Sequence, residues 1–387
     1  MRFDLIIVGG GLAGTALAVA LRRSRLNIAL IQRAVPTKAP GWDARIYAYN
    51  PASVAFLQEL GVWERLDPGR LAPVERMEVH GDGGGRIDFS AAEAGLEALA
   101  WIGESDHLLL ELWQSLTRQH NVTVFAPAAP AACTHHDDGV EILLEDGRKL
   151  AATLVVGADG RDSWVRHAFG IEAKSRDYGQ QAIVANFRVE RPHQQRAWQW
   201  FRNDGIVAWL PLPGELISLV WSTREDTAAR LMALPDAAFC HEVAGVGGEL
   251  LGRLTLETPR ADFSLRFMRV ASVLAARGVL VGDAAHAIHP LTGHGINLGF
   301  QDVRALAALL AEAPAWQDIG ERMFLRRYER ARAEEPFMLQ YATDGLARLF
   351  ACRNPLAGVL RNAGMALAAQ TPGLTRCLTR YAASGPF

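Results

Sequence analysis

Cysteine is scarce: four in 387 residues, Cys133, Cys240, Cys352 and Cys377, far apart and without a C-x-x-C pair. That excludes a zinc ribbon or a disulfide framework, and a reducing, cytoplasmic setting is the simplest reading. Net charge is nearly absent as well, 40 basic against 42 acidic residues, so no global field recruits nucleic acid. Lysine is rare, with Lys38, Lys149 and Lys174 the whole complement. An unbroken membrane-length apolar run is also missing. Residues 5 to 21 are uncharged, but Asp4 precedes them, no A-x-A site closes them, and three consecutive glycines interrupt them. With 50% apolar and 21% charged residues, disorder and fibrous repeats are excluded. The length exceeds one comfortable core and implies two or three domains, or a large α/β body with an attached sheet.

What the chain does have is glycine in clusters. Phe3 to Val8 reads as a buried parallel strand, and Gly9, Gly11 and Gly14 then give G-x-G-x-x-G before an Ala/Leu helix that ends near Arg22. The chemistry asks a different thing of each glycine: Gly9 makes the tight turn, Gly11 lets a pyrophosphate approach the backbone, and Gly14 lets helix and strand pack closely. The loop Gly11, Leu12, Ala13, Gly14 then presents the helix amino terminus, with its free N–H groups, to phosphate. A second strand, Asn27 to Ile31, ends at Gln32 and Arg33. An acidic residue usually meets the adenosine ribose at the Gln32 position; an amide there still hydrogen-bonds a hydroxyl.

Two further strand-to-glycine junctions follow. Residues 154 to 160 read LVVGADG, breaking at Asp159-Gly160, and residues 278 to 283 read GVLVGD, breaking at Gly282-Asp283. An aspartate at a strand's carboxyl end suits a sugar alcohol, and Pro290, Gly293 and Gly295 in P-x-x-G-x-G free backbone N–H groups for a polar ring edge. An amphipathic helix follows, with Leu298, Val303, Leu306, Leu309 and Leu310 as its apolar positions. Asp283, His286, His289 and His294 form an array with metal-like spacing. The proline and glycines break any helix that could face these imidazoles together, so loop histidines bonded to backbone are expected and no metal. His135 and His136 beside Asp137 and Asp138 read as a solvated turn.

In this order and at these separations the three motifs resemble those of the single-component FAD-dependent aromatic hydroxylases. Within that superfamily the chain is more similar to the ubiquinone-biosynthesis hydroxylases. The segments that carry the likeness are Asp43-Ala44-Arg45 with NPAS at 50 to 53, Leu60-Gly61-Val62-Trp63, GADGR at 157 to 161, YGQQAIVA at 178 to 185, GDAAHAIHPLTGHGINLG at 282 to 299 and TDGLARLF at 343 to 350. The resemblance implies FAD, with the first glycine loop on its diphosphate, Arg45 on the flavin side, Asp159 supporting the binding region and Asp283 on the ribityl chain. The loop Gly293, His294, Gly295 would face the isoalloxazine, with Ile296 and Asn297 after it also among the cofactor-binding residues. His294 stands where these hydroxylases often have glutamine. Pro290 would border the substrate, with Arg45 and His289 as further catalytic candidates. The implied reaction is hydroxylation of a polyprenyl phenol by molecular oxygen through a flavin hydroperoxide, with NAD(P)H as electron donor. Hydroxylation of a small soluble aromatic, another flavin oxidoreduction and a nonenzymatic FAD-binding scaffold are the alternatives.

The expected fold is α/β: a Rossmann-like FAD-binding domain with an inserted antiparallel-sheet substrate domain and a helical C-terminal segment. The FAD-binding body takes residues 1–73, 101–175 and 270–330, the substrate sheet 74–100 and 176–269, and the C-terminal segment 331–387. Short alternating runs between Tyr178 and Arg269 indicate the antiparallel sheet. Its aromatic residues, Trp198, Trp200, Phe201, Trp209, Trp221, Phe263 and Phe267, read singly as sheet core; taken together, the resemblance implies a one-sided aromatic layer that walls a dry pocket over the flavin. Val74 to Phe89 reads as a hairpin whose Gly83 to Gly85 run is a turn. No second dinucleotide motif is visible. From Gly345 onward there are five arginines and no acidic residue, a pattern suited to peripheral association with a membrane or a biosynthetic complex.

Overall fold

The computed structural model describes residues 1–38, 40–287, 293, 295–351 and, beyond these, 371, 373, 375, 376, 379 and 380. The first sheet is built on β1 (Arg2–Val8), β2 (Ile28–Ile31), β8 (Val122–Phe125), β11 (Lys149–Gly157) and β19 (Gly278–Leu280), which run parallel in the order β19-β11-β1-β2-β8. β18 (Leu274–Ala275) extends the β19 edge, and β10 (Gly139–Leu144) and β9 (Pro130–His136) add an antiparallel flap on β11. Leu5, Ile6 and Ile7 are fully buried, as a parallel strand covered on both faces requires. One face packs on α1 (Leu12–Ala20) and α8 (Gly295–Ala311), with α4 (Ser105–Leu116) beside α1 and α2 (Pro51–Glu59) beside α8. The five apolar positions assigned to α8 are all buried. The order of these strands and their helices is the Rossmann-like α/β arrangement expected from the first glycine motif.

A second sheet runs β20-β17-β12-β15-β14-β13-β5-β6: His286–Ala287, Ala261–Val270, Ala173–Val189, Leu216–Arg224, Gly205–Leu212, Arg196–Arg202, Arg76–His80 and Arg86–Ser90, with β16 (Leu254–Leu256) on β12. All its pairings are antiparallel except β13 with β5. Gly83 to Gly85 lie in the β5–β6 turn, where Gly81 N–H donates to the Gly85 carbonyl. A small third sheet, β3 (Ile46–Tyr49), β7 (Ala100–Glu104) and β4 (Leu71–Val74), lies between the two larger ones in sequence and in contact. Short α3 (Ala91–Ala94) follows β6, α5 (Trp164–Ala168) follows β11, and α9 (Arg322–Ala331) and α10 (Glu334–Ala351) follow α8.

The tryptophans of the second sheet are core, as each reads singly, and the sheet's aromatic residues do not form the single layer expected of them together. Trp198, Trp209 and Trp221 point to the outer face, where they are buried with Phe187 against α6 (Glu225–Ala233) and α7 (Asp236–Val246), and Trp200 packs on the same cluster. A Cβ on Gly247 would lie 2.4 Å from the Trp209 ring. Phe201 packs with Ile206 under the β5–β6 hairpin, Phe263 is exposed, and Phe267 lies beside Arg176. The reason is the strand period: the tryptophans occupy one parity, and the helices that follow β15 cover that side. The opposite parity carries small and aliphatic residues. Ala197, Leu210, Leu212 and Leu216 meet Trp42, Ile46 and Ala48.

Candidate functional site

At the carboxyl ends of β1, β11 and β19 the three glycine motifs touch. Gly9 has φ +104°, and a Cβ there would lie 2.4 Å from the Ala158 carbonyl oxygen, so the first loop abuts the Asp159 motif. A Cβ on Gly14 would lie 1.9 Å from the Gly9 carbonyl oxygen; only hydrogen lets α1 sit this close to the turn. A Cβ on Gly11 would meet nothing within 4 Å, so its side of the loop is open to an approaching group. Gly11 caps α1 without a side-chain acceptor, which leaves the first-turn N–H groups of Leu12, Ala13 and Gly14 to an external partner. Ala13 in turn packs near Gly282, and Gly282 lies against Gly299 of α8.

The loop is braced from beneath. The Gln32 side-chain oxygen accepts from Gly10 N–H at 2.8 Å, a bond that does not use its NH2 group. Trp113 Nε1 and Thr15 Oγ1 both donate to the Gly10 carbonyl at 3.0 Å. Arg33, next to Gln32, is exposed. Asp159 accepts from Val165 N–H through Oδ2, and its buried Oδ1 has no partner among the described residues. Arg166, nearly buried, donates to the carbonyls of Arg161 and Ala284 and so ties the second motif to the third.

Asp283 is exposed along the crevice, yet the protein crowds it. That crowding raises its pKa, while His286, Arg161 and Arg45 pull it back. Arg45 stands among Asp43, Asp106 and Asp283, and Tyr47 beside them has its hydroxyl pKa raised by burial and by Asp283. Asn297 is wholly committed to protein. Its oxygen accepts from Asn50 N–H at 3.0 Å and Ser53 Oγ at 2.7 Å, and its nitrogen donates to the Ala48 and Gly293 carbonyls. It therefore anchors the Gly293 loop to β3 and α2. Gly295 and Ile296 open α8. His289, Pro290 and His294 lie outside the described residues.

His286 lies in a buried ion network that the sequence did not announce. Its Nε2 bonds Asp302 at 2.6 Å; Asp302 also accepts from Gly282 N–H at 3.0 Å and Arg332 Nε at 2.8 Å, and Arg332 continues to Glu335. Burial pulls the His286 pKa down, but the charge and hydrogen bond of Asp302 outweigh it and the net shift is upward. Burial pushes Asp302 up, and His286 and Arg332 bring it net below the usual carboxylate range. Among the described residues no group of three or more His, Cys, Asp or Glu side chains is placed to hold a metal. The other residues sequence reasoning missed are Trp113, Arg70 and Glu104. Their partners lie far away in the chain, so no local pattern in a single sequence could have drawn them out.

A glycine loop, an open helix amino terminus and a strand-end aspartate converging on one crevice have the form of a dinucleotide-binding site. The FAD binding domain family matches residues 2–337, and the chain belongs to this family of FAD-dependent aromatic hydroxylases, which includes the ubiquinone-biosynthesis hydroxylases. The 3-demethoxyubiquinol 3-hydroxylase of Escherichia coli is 34% identical, with 98% of each chain covered. Ubiquinone hydroxylase UbiL of Rhodospirillum rubrum is 35% identical over 98% of this chain and 89% of its own. Among solved structures, p-nitrophenol 4-monooxygenase PnpA from Pseudomonas putida has a similar fold, with TM-score 0.82, 17% identity, and 100% and 99% of the two chains covered. The residues present fit FAD, since the loop is glycine-lined where a Cβ would intrude and the buried Asp159 Oδ1 lacks a partner among the described residues. Among the described residues no helix is long and apolar enough to cross a membrane.

Proposed function

We propose that this FAD-dependent monooxygenase hydroxylates the aromatic ring of a polyprenyl phenol in ubiquinone biosynthesis, with molecular oxygen as co-substrate and NAD(P)H as electron donor. The observation that carries the reading is the near end-to-end similarity to the Escherichia coli 3-demethoxyubiquinol 3-hydroxylase. Bound FAD, once reduced, supplies the oxygen activation; the chain's residues supply binding, orientation and exclusion of water.

In this reading Gly9, Gly11, Leu12, Ala13 and Gly14 hold the diphosphate through backbone N–H groups. Gln32, with Arg33 beside it, serves the adenosine ribose through the amide NH2 that Gly10 leaves unused. Asp159 supports the diphosphate region, and Gly282 and Asp283 serve the ribityl chain. Gly293, His294, Gly295 and Ile296 present backbone to the isoalloxazine, and Asn297 acts by holding that loop, because its side chain has no hydrogen-bonding capacity left. Arg45 stands on the flavin side, with Pro290 and His289 at the substrate. The FAD-binding body comprises residues 1–73, 101–175 and 270–330, with 74–100 and 176–269 as the substrate part and 331–387 as the C-terminal part. Strand parity places Val184, Gln199, Ala208 and Val220 on the face that meets Trp42 and Ala48, and we assign the aromatic ring to that face. Peripheral association with a membrane or a biosynthetic complex would bring the lipid-tailed substrate to it.

The test is substrate-dependent oxygen uptake with FAD and NAD(P)H, comparing isoprenoid-tailed phenols with tail-free ones. Hydroxylated lipid product supports the reading; turnover of tail-free aromatics alone overturns the assignment of substrate, and no uptake with any phenol overturns the activity.

A further inference from the structure

The segment Gly41 to Arg45 has no regular secondary structure, although it carries Arg45, the cation proposed above for the flavin side. Side chains from three separate elements hold it. Arg70 donates from one guanidinium nitrogen to the Gly41 carbonyl at 2.7 Å, and its guanidinium lies 4.3 Å from the centre of the Trp42 ring. Glu104, at the end of β7, accepts from Asp43 N–H at 2.6 Å. Asn186, on β12 of the large antiparallel sheet, donates to the Asp43 carbonyl at 2.9 Å. Arg45 itself is fixed through its backbone, donating from N–H to Asp43 Oδ1 and accepting at its carbonyl from Ser105 N–H.

Arg70 and Glu104 also grip each other. Arg70 Nε and a terminal nitrogen meet the two carboxylate oxygens at 2.5 and 2.6 Å, and the Glu104 side chain is only 1% exposed. A buried ion pair is a weak source of stability compared with apolar packing of the same volume, but its fork geometry fixes direction. Here each partner also makes one hydrogen bond to the backbone of the segment that carries Arg45.

The geometry points to Arg70, Glu104 and Asn186 as a clamp of positioning residues that sets where Arg45 stands. Through Asn186 the clamp ties that position to the substrate sheet. The inference rests on the proposed placement of Arg45 beside the flavin. None of the three clamp residues need touch the cofactor; each acts on it through the Gly41 to Arg45 backbone.

The experiment compares Arg70→Gln, Arg70→Lys, Glu104→Gln, Asn186→Ala and Arg45→Ala, plus the double variant Glu104→Gln/Arg45→Ala, all reconstituted with FAD. Two quantities are read: the visible absorbance of bound flavin, and the fraction of NADPH oxidised that yields hydroxylated short-chain prenyl phenol instead of hydrogen peroxide. We expect the folded clamp variants to bind FAD with a perturbed spectrum and to lose coupling roughly tenfold to a hundredfold, as expected when an oriented group is displaced. Arg70→Lys, lacking the fork, should recover little. The double variant should be no worse than Arg45→Ala alone. Wild-type spectra and coupling in the clamp variants, or additive losses in the double variant, overturn the inference. Should the charge variants fail to fold, Asn186→Ala decides, since it removes one hydrogen bond: unchanged spectrum and coupling there overturn the clamp. A wild-type protein that neither binds FAD nor hydroxylates the phenol would instead sink the functional reading.

Discussion

Replacing Asp302 by asparagine tests whether the buried network beneath Gly282 is an ion network or a set of neutral hydrogen bonds. Asp302 is 1% exposed and accepts three hydrogen bonds, from Gly282, His286 and Arg332. Asparagine keeps the shape but brings an NH2 group toward donors and removes the counter-charge of His286. Arg332 keeps Glu335. Breaking a buried pair in this way costs about 3–5 kcal/mol. The loss should depend on pH with a defined sign. His286 has a raised pKa in the folded chain, so its contribution is fully present below its unfolded value, about 6.5, and fades as pH rises through the folded value. The lowered Asp302 pKa acts only at the acid end, where its contribution is lost as pH falls below about 3.9. Between pH 5.5 and pH 9 the gap between wild type and Asp302→Asn should therefore be widest on the acid side and narrow toward alkaline pH. Urea unfolding at fixed FAD concentration measures it, because cofactor binding adds its own stabilisation by mass action. A loss under about 1 kcal/mol, or a gap that widens with pH, would refute the ionic description.

Gly14→Ala places a Cβ 1.9 Å from the Gly9 carbonyl oxygen, so α1 must shift; FAD retention should collapse and stability fall by about 1–3 kcal/mol, read by flavin release and thermal unfolding. Gln32→Ala removes the acceptor for Gly10 N–H and should weaken FAD binding by about 1 kcal/mol, whereas Gln32→Glu keeps that acceptor and offers the ribose a charged one, so titration should show tighter binding. Trp209→Ala, on the outer face, should cost about 3–5 kcal/mol of stability with little change in substrate KM, while Ala208→Phe, one residue away on the opposite face, should raise KM in a protein that still folds. Equal effects of these two substitutions on KM would contradict the assignment of faces.

The legible parts were those where local sequence and backbone demand coincide. Gly9, Gly11 and Gly14 carry three different steric requirements in six residues, and the surrounding strand and helix patterns are short-range, so β1 and α1 could be read directly. Gly282-Asp283 and the apolar spacing of α8 were legible for the same reason. Each sheet tryptophan could be read singly as core, but the face on which they pack could not. Alternation shows that Trp198, Trp209 and Trp221 share a face, but which face is covered depends on where α6 and α7 pack. Long-range polar partnerships were equally hidden. Glu104 and Arg70 are 34 residues apart, and Asp302 meets Arg332 at a separation of 30, so neither pair leaves a local pattern. Asn297 was read as a cofactor residue from its motif, and the four bonds to protein made by its side chain recast its contribution as support of the loop.

The central claim is that this chain inserts one atom of molecular oxygen into the ring of a prenylated phenol. The direct measurement is a single-turnover reaction of the FAD-loaded, NADPH-reduced protein with an isoprenoid-tailed phenol under labelled dioxygen, 18O2, followed by mass spectrometry of the lipid product. The account predicts one heavy oxygen in the product, bound to the ring, and none when the label is supplied as water. An unlabelled product, label taken from water, or label recovered solely as hydrogen peroxide would contradict it.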